Sequence, residues 1–138
     1  MTATNPPIRT VVWPTLRYSD ANAAITWLVE TFGFEEVAVY RSEDGRVVDH
    51  AELRWPRGGG VMLGSDRPDS SISTLAPGTG SIYIVVDNPD ELYARAKTAG
   101  AAITREITDE DYGSRGFSAR DPEGVHWSFG TYAGADSD

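Results

Sequence analysis

The sequence predicts an α+β fold in which two βαβββ modules form curved mixed sheets around a cavity, with the helices outside. Short runs rich in β-branched and aromatic residues alternate with two segments of helical periodicity. A strand, helix and glycine unit recurs, because 13 positions separate the ends of both Asp20–Gly33 and Asp87–Gly100. A second matching pair, Gly60-Val61 and Gly124-Val125, precedes the last predicted strand of each half. Two features that recur in the same order indicate a duplicated module.

The predicted boundaries divide the chain at a loop near its midpoint. The first module covers residues 8–64, the second covers 80–132, and a loop at 65–79 rich in proline, glycine and serine connects them. We expect the small, acidic tail at 133–138 to fray. A chain of 138 residues buries about 70% of its unfolded surface, so its core needs neither disulfide nor metal.

The first module is predicted to begin with a strand at 10–18. Pro14 indicates an edge or a junction in this strand, because proline cannot donate to a ladder. Ser19 or Asp20 then caps a helix that Gly33 ends. Three further strands are predicted at 34–41, 47–55 and 61–64.

The second module repeats this order. Its helix starts at Asn88-Pro89, carries Glu91 at the capping-box position and ends at Gly100. The segment Asp121–Gly124 combines an aspartate, a proline and a glycine, which is typical of a hairpin turn. The strands of this module are predicted at 81–86, 102–107, 113–120 and 125–130, with an acidic loop at 108–112.

Charge and composition narrow the classes of partner. The formal charge of −9 comes from 21 acidic and 12 basic residues, and Lys97 is the only lysine. Nucleic acid and anionic membranes would be repelled, whereas a cationic ligand would be attracted. Cysteine is absent, which excludes thiolate chemistry and agrees with a reducing compartment. Because neither a signal peptide nor an apolar membrane span is evident, we expect a cytoplasmic protein.

Strand alternation predicts which side chains face the helices and which face the cavity, because successive residues of a strand point to opposite sides. The helix-facing set is Leu16, Leu53, Ile82, Ile84, Trp127 and Phe129. The opposite set, which would line the cavity, is Trp13, Thr15, Arg17, His50, Glu52, Arg54, Ser81, Tyr83, His126 and Ser128.

Five segments together resemble the glyoxalase/bleomycin resistance/dioxygenase family, also called the vicinal oxygen chelate fold. They are Leu16–Asp20, Ala24-Ile25, Trp27-Leu28, Phe32–Phe34 and Arg120–Gly124 with the aromatic strand that follows it. The resemblance spans residues 10–132 and is closest in character to metal-free bleomycin-resistance-type binding proteins. It implies a homodimer whose pockets form between modules of two chains. The family includes isomerases, ring-cleaving dioxygenases and binders of antibiotics, so the resemblance leaves the activity open.

The resemblance also implies four positions at which metal-dependent members place their ligands. They correspond here to Trp13, Glu52, Ser81 and Ser128, of which only Glu52 is a good ligand for a divalent ion. We therefore expect no metal and no other cofactor. An altered site remains a second interpretation, because His50 and Glu52 share one strand face and His126 could join them.

Binding of a small molecule is the function that these residues suit best. Flat aromatic rings stack on planar ligands, and acidic side chains favour a cation. The acidic candidates are Glu52 and the loop residues Asp109, Glu110 and Asp111. The predicted ligand-binding residues are Trp13, Thr15, His50, Glu52, Arg54, Ser81, Tyr83, Tyr112, Phe117 and Ser128. The leading hypothesis is metal-independent sequestration of an antibiotic or natural product. The alternatives are a divergent metal-dependent lyase, isomerase or dioxygenase, and a regulatory domain without a ligand.

Overall fold

The computed structural model describes residues 9–67, 69 and 75–135, which form two four-stranded sheets and two helices. None of the helices in this part of the chain has the length and apolar character needed to cross a membrane. In chain order the elements are β1 (Thr15–Tyr18), α1 (Ala21–Phe32), β2 (Glu35–Arg41), β3 (Val48–Arg54), β4 (Gly60–Ser65), β5 (Ser81–Val85), α2 (Pro89–Thr98), β6 (Ala102–Asp109), β7 (Arg115–Arg120) and β8 (His126–Gly130).

The two sheets have the same topology, which confirms the predicted duplication of a βαβββ module. Their strand orders are β1-β4-β3-β2 and β5-β8-β7-β6. In each sheet the first strand of the module runs parallel to the last, and the other neighbours are antiparallel. The helix and the two strands that follow it in each module together make the long crossover between the parallel strands.

The helix ends follow from the predicted capping residues. Asp20 accepts a hydrogen bond from the Ala23 amide at 3.0 Å, and Asn88 accepts one from the Glu91 amide at 3.2 Å. Gly33, at φ +90°, takes the left-handed conformation that ends α1. The predicted N-caps and the glycine stop of α1 are therefore confirmed.

Most strand boundaries lie within two residues of the prediction, and β1 and β6 show where pairing moved them. β1 begins at Thr15 instead of residue 10, and the Pro14 carbonyl accepts from the Met62 amide just before the strand starts. β6 continues to Asp109, into the predicted acidic loop, because Thr108 and Asp109 pair with β7. Residues 68 and 70–74 of the predicted 65–79 loop and residues 136–138 of the predicted tail lie outside the described residues.

A single hydrophobic core joins the two modules. Phe32, at the end of α1, lies 5.8 Å from the Trp127 ring and 4.7 Å from the Phe129 ring of β8. Phe34 also contacts Trp127, at 5.5 Å. The predicted helix-facing residues are buried or, for Ile82 and Ile84, half-buried.

The opposite faces of the two sheets are open to solvent. Five of the ten residues predicted to line the cavity fall into separate depressions on these two faces, Thr15, Arg17 and His50 on the first sheet and Tyr83 and Ser128 on the second. Within one chain, the open faces of the two sheets therefore enclose no common cavity among the described residues, because the helix-side faces meet in the shared core instead.

The turn Asp121–Gly124 connects the modules through a buried carboxylate. Asp121 Oδ1 accepts the backbone amides of residues 123, 124 and 125, at 3.0, 3.0 and 3.1 Å. Its Oδ2 accepts from the Tyr18 hydroxyl at 2.6 Å and from Trp127 Nε1 at 3.1 Å. Glu123 accepts the backbone amides of Ser19 and Asp20, just before α1. The predicted hairpin turn therefore also holds the second module against the first.

Candidate ligand-binding site

The open face of the second sheet contains a depression of about 410 Å³, which we call the second-sheet basin. Strands β5 to β8 and the β6–β7 connection surround it. Its lining residues are Tyr83, Arg105, Glu110, Tyr112, Ser114, Gly116, Phe117, Ser118, Ser128, Phe129 and Gly130. This depression contains four of the predicted ligand-binding residues.

Glycines and serines leave room at the floor of the basin. Gly116 and Gly130 are partners across β7 and β8. A Cβ atom on Gly130 would lie 2.8 Å from the Tyr83 hydroxyl oxygen, which is too close for a side chain. Ser118 and Ser128 are the next partners, and their hydroxyl oxygens are 2.8 Å apart. The floor is therefore wide, uncharged and able to form hydrogen bonds.

Tyrosines form one side of the basin. The rings of Tyr112 and Tyr132 meet edge to face at 5.9 Å, and 65% of Tyr112 is exposed. The Tyr83 hydroxyl donates to the Tyr132 carbonyl at 2.6 Å. Partial burial raises the pKa of Tyr83 above its ordinary value. The Ser114 hydroxyl, at the base of this side, accepts from the Tyr132 amide.

Arginines compensate the acidic residues around the basin. Arg105 pairs with Glu110 at 2.5 Å, and Arg115 pairs with Asp109 at 3.2 Å. The sequence predicted that the carboxylates of Asp109 and Glu110 would attract a cation, but it did not predict that arginines lie beside them. Paired charges exert a weaker field than free ones, so the basin favours cations less than the net charge suggests.

The open face of the first sheet contains a smaller polar cluster. His50 Nε2 lies 2.8 Å from Glu52 Oε2, and the Tyr40 ring stacks beside the His50 ring at 6.2 Å with 23° between their planes. Arg54 pairs with Glu35 at 2.6 Å. A depression of about 90 Å³ beside His50 is also lined by Thr15.

The ten predicted ligand-binding residues are therefore divided between the two sheets and the core. Tyr83, Tyr112 and Ser128 meet in the basin, and Ser81 lies exposed on β5 outside it. Trp13 is half-buried; its Nε1 donates to the Thr10 carbonyl at 3.1 Å, and its ring lies close to Gly60. The first sheet carries Thr15, His50, Glu52 and Arg54.

Phe117 was predicted to contact the ligand; it borders the basin, but its side chain is buried. Only 1% of Phe117 is exposed. Its ring packs against Tyr93 of α2 at 5.3 Å and stacks on Phe129 at 5.0 Å. Phe117 therefore belongs to the core beneath the basin.

Sequence reasoning missed several basin residues, namely Arg105, Ser114, Gly116, Ser118 and Gly130. Part of the signal was present in β7, where Gly116 and Ser118 alternate with the apolar Phe117 and Ala119. This period of two indicates a small, polar face opposite the core.

The four positions that the resemblance assigns to metal ligands do not fit a divalent ion in this chain. They offer one carboxylate, one indole and two neutral hydroxyls, which is a poor donor set. Trp13 and Glu52 belong to the first module, while Ser81 and Ser128 belong to the second. The described residues contain no group of three His, Cys, Asp or Glu side chains arranged for a metal ion.

Comparison with known proteins establishes the family. Residues 10–129 match the family model described as the Glyoxalase/Bleomycin resistance protein/Dioxygenase superfamily. This match covers most of the chain and agrees with the paired βαβββ modules. The chain therefore belongs to this superfamily, as the sequence resemblance predicted.

Individual relatives support the same assignment. The uncharacterized protein Mb0911c of Mycobacterium bovis is 35% identical over 123 residues, which are 85% of this chain and 80% of that protein. The crystal structure of TioX from Micromonospora sp. ML1 has a TM-score of 0.76 and 30% identity, covering 90% of this chain and 98% of TioX. A glyoxalase I mutant from Zea mays, at 23% identity and a TM-score of 0.67, covers 87% of this chain and 43% of its own length and shares the fold.

Proposed function

We propose that this protein binds and sequesters a small antibiotic or natural product without using a metal, as a bleomycin-resistance-type protein. The second-sheet basin is the observation that carries this proposal. Its floor carries the neutral hydroxyl of Ser128, at a position that the family resemblance assigns to a metal ligand. Aromatic rings and uncharged hydrogen-bonding groups recognise a guest molecule better than they hold an ion.

The dimensions of the basin support a drug-sized ligand. Its volume of about 410 Å³ falls within the range of small-molecule sites, which is roughly 300–1,000 Å³. A planar ring placed against Tyr112 would gain about 0.5–1.5 kcal/mol beyond its burial. The hydroxyls of Tyr83, Ser118 and Ser128 would orient polar substituents. The proposed ligand is therefore aromatic and carries hydrogen-bonding groups.

We also propose that the protein works as a homodimer. Each chain leaves the open faces of both sheets uncovered, and the basin is accessible from solvent. Placing the first sheet of one chain over the second sheet of another would bring Thr15, His50 and Glu52 opposite the basin. The family resemblance implies this pairing, and it would enclose a ligand that a single chain leaves exposed.

The experiment is isothermal titration calorimetry of the protein with a panel of aromatic antibiotics, both neutral and cationic. We expect at least one compound to bind saturably. Ser128→Leu, which fills the basin floor, should lower the affinity for that compound about tenfold or more. Thr26→Leu is the matched control, because Thr26 lies exposed on α1. Binding by the control should stay within about twofold of the original protein.

Two results would count against sequestration. The first is an absence of saturable binding across the panel. The second is turnover of a compound that Glu52→Ala abolishes. That result would favour acid–base catalysis by the His50 and Glu52 pair, whose 2.8 Å contact is the observation in favour of an enzyme.

A further inference from the structure

A second depression lies between the modules, away from the floor of the basin. Its volume is about 430 Å³, and we call it the seam groove. Four consecutive residues of β5, 82–85, form one wall, and the connection between β3 and β4 forms the opposite wall. Because side chains alternate along a strand, a groove that meets four consecutive residues follows the strand's backbone edge.

This edge of β5 carries unpaired backbone groups. The Gly80 carbonyl accepts from the His126 amide, and the Val86 amide donates to the Gly130 carbonyl. Even-numbered residues of β5 therefore direct their peptide groups toward β8, and odd-numbered residues direct theirs away from it. No backbone group in the described part of the chain bonds to the N–H or C=O of Tyr83 or Val85.

Segments of the same chain restrict what can occupy the groove. Gly58–Gly60 lies opposite β5, and the rest of the lining includes Val12, Pro14, Phe34, Ala133 and the charged Arg57. These segments leave room for a drug-sized guest. An incoming strand of a folded sheet would need additional space for the strands beside it. The side chains on the walls, among them Ile82, Ile84 and the half-buried Trp55, are mainly apolar.

We propose that the seam groove binds a peptide-like compound in an extended conformation, as a short strand added to the edge of β5. The N–H and C=O groups of Tyr83 and Val85 would pair with two amide groups of the guest, about 7 Å apart along its backbone. Apolar side chains of the guest would contact Trp55 and Ile84. Tyr83 lines both sites, since its side chain borders the basin and its backbone would pair with the guest in the groove. The proposal does not depend on the proposed function.

The probe is the capped tetrapeptide acetyl-Val-Phe-Val-Thr-amide, whose residues favour an extended conformation. Its affinity is measured by titration calorimetry, and backbone amide exchange of the full chain is followed by NMR. We expect exchange at Tyr83 and Val85 to slow about tenfold or more at saturation. Val85→Pro removes one free N–H and should lower the affinity for the peptide about tenfold. Ser81→Pro removes a free N–H outside the groove and should change affinity less than about twofold.

Several outcomes would overturn the proposal. They are an absence of saturation at millimolar peptide, equal affinity for the two proline variants, or slowed exchange at Tyr83 and Val85 that depends on protein concentration without peptide. The last result would show that a second copy covers the edge. If Val85→Pro does not fold, the same peptide with every backbone amide methylated decides the question on the original protein. Equal affinity for both peptides would then exclude strand pairing.

Discussion

At the scale of single residues, Asp121 explains why the turn of the second module matters to the first. Its carboxylate is 5% exposed and accepts five hydrogen bonds. A buried charge is costly unless such partners replace water. The Tyr18 hydroxyl is the partner that comes from the first module. Burial of Tyr18 raises its pKa well above the ordinary value, and the nearby negative charge of Asp121 raises it further.

The raised pKa of Tyr18 predicts alkaline sensitivity. Tyrosine in the unfolded chain loses its proton near pH 10, whereas buried Tyr18 keeps it. Above about pH 10 the unfolded state therefore binds fewer protons, and the free energy of unfolding falls as pH rises. Between about pH 10.5 and 11.5, the free energy of unfolding should fall by about 1.4 kcal/mol per pH unit because of Tyr18, and Tyr18→Phe should remove this contribution. Urea unfolding at several pH values measures it.

Tyr132→Phe is the control for this prediction, because Tyr132 is 46% exposed. It should leave the alkaline slope of the original protein nearly unchanged. At neutral pH, Tyr18→Phe should also cost about 1–2 kcal/mol, since it removes one partner of a buried carboxylate. Parallel curves for Tyr18→Phe and the original protein above pH 10 would contradict the argument.

At the scale of elements, α1 is completed by a side chain from the other module. Its last turn, Val29–Phe32, contains no basic residue. Arg95 of α2 instead donates to the carbonyls of Glu30 at 3.1 Å and Val29 at 3.3 Å. A guanidinium group at a helix C-terminus satisfies free carbonyls and opposes the negative end of the helix dipole. Gly33 leaves the space that this contact needs.

Replacement of Arg95 by alanine tests this cap between helices. We expect Arg95→Ala to lower the free energy of unfolding by about 1 kcal/mol, because it leaves the last carbonyls of α1 without their cationic partner. Lys97→Ala, at an exposed site on the same helix, should change it by less than about 0.5 kcal/mol. Urea unfolding of the three proteins measures the difference, and equal losses for both variants would refute a specific cap.

At the scale of the whole molecule, the proposed dimer follows from the position of the core. The helix-side faces of both sheets are buried together, so that the remaining faces are open in one chain. Two large aromatic side chains are exposed on these faces, Tyr40 on the first sheet and Tyr112 beside the second. Covering these faces with a second chain would remove apolar surface from water.

Sedimentation velocity tests the dimer directly. One chain has a mass of 15.0 kDa, so we expect a single species of twice that mass at micromolar concentration. The basin variant Ser128→Leu should shift the equilibrium toward the monomer if the basin face is covered by a partner, and Thr26→Leu on the helix surface should not. A monomer at all concentrations up to about 100 µM, with and without a ligand from the panel, would refute the dimer.

Local features made much of the fold predictable from sequence. Asp20, Asn88 and Gly33 act within one helical turn, and the alternation of Leu16, Leu53, Trp127 and Phe129 with polar neighbours defines the buried face of each strand. The candidate site was less predictable. Tyr83 and Ser128 were identified by alternation, but Arg105 and Glu110 reach the basin through a bulged strand and a turn. The alternation along β7 puts the Phe117 side chain on the core side. The prediction assigned Phe117 to the ligand site only because its side chain is aromatic.

The sequence alone determined the duplicated module, the helix ends, the buried strand faces and the family, because each depends on residues that are close along the chain or on a repeated pattern. Only the tertiary structure decided that the two sheets share one core, that Asp121 and Arg95 each connect the modules, and that arginines neutralise the acids beside the basin. These contacts join residues far apart in sequence, such as Tyr18 and Asp121, and their partners depend on how the modules pack together.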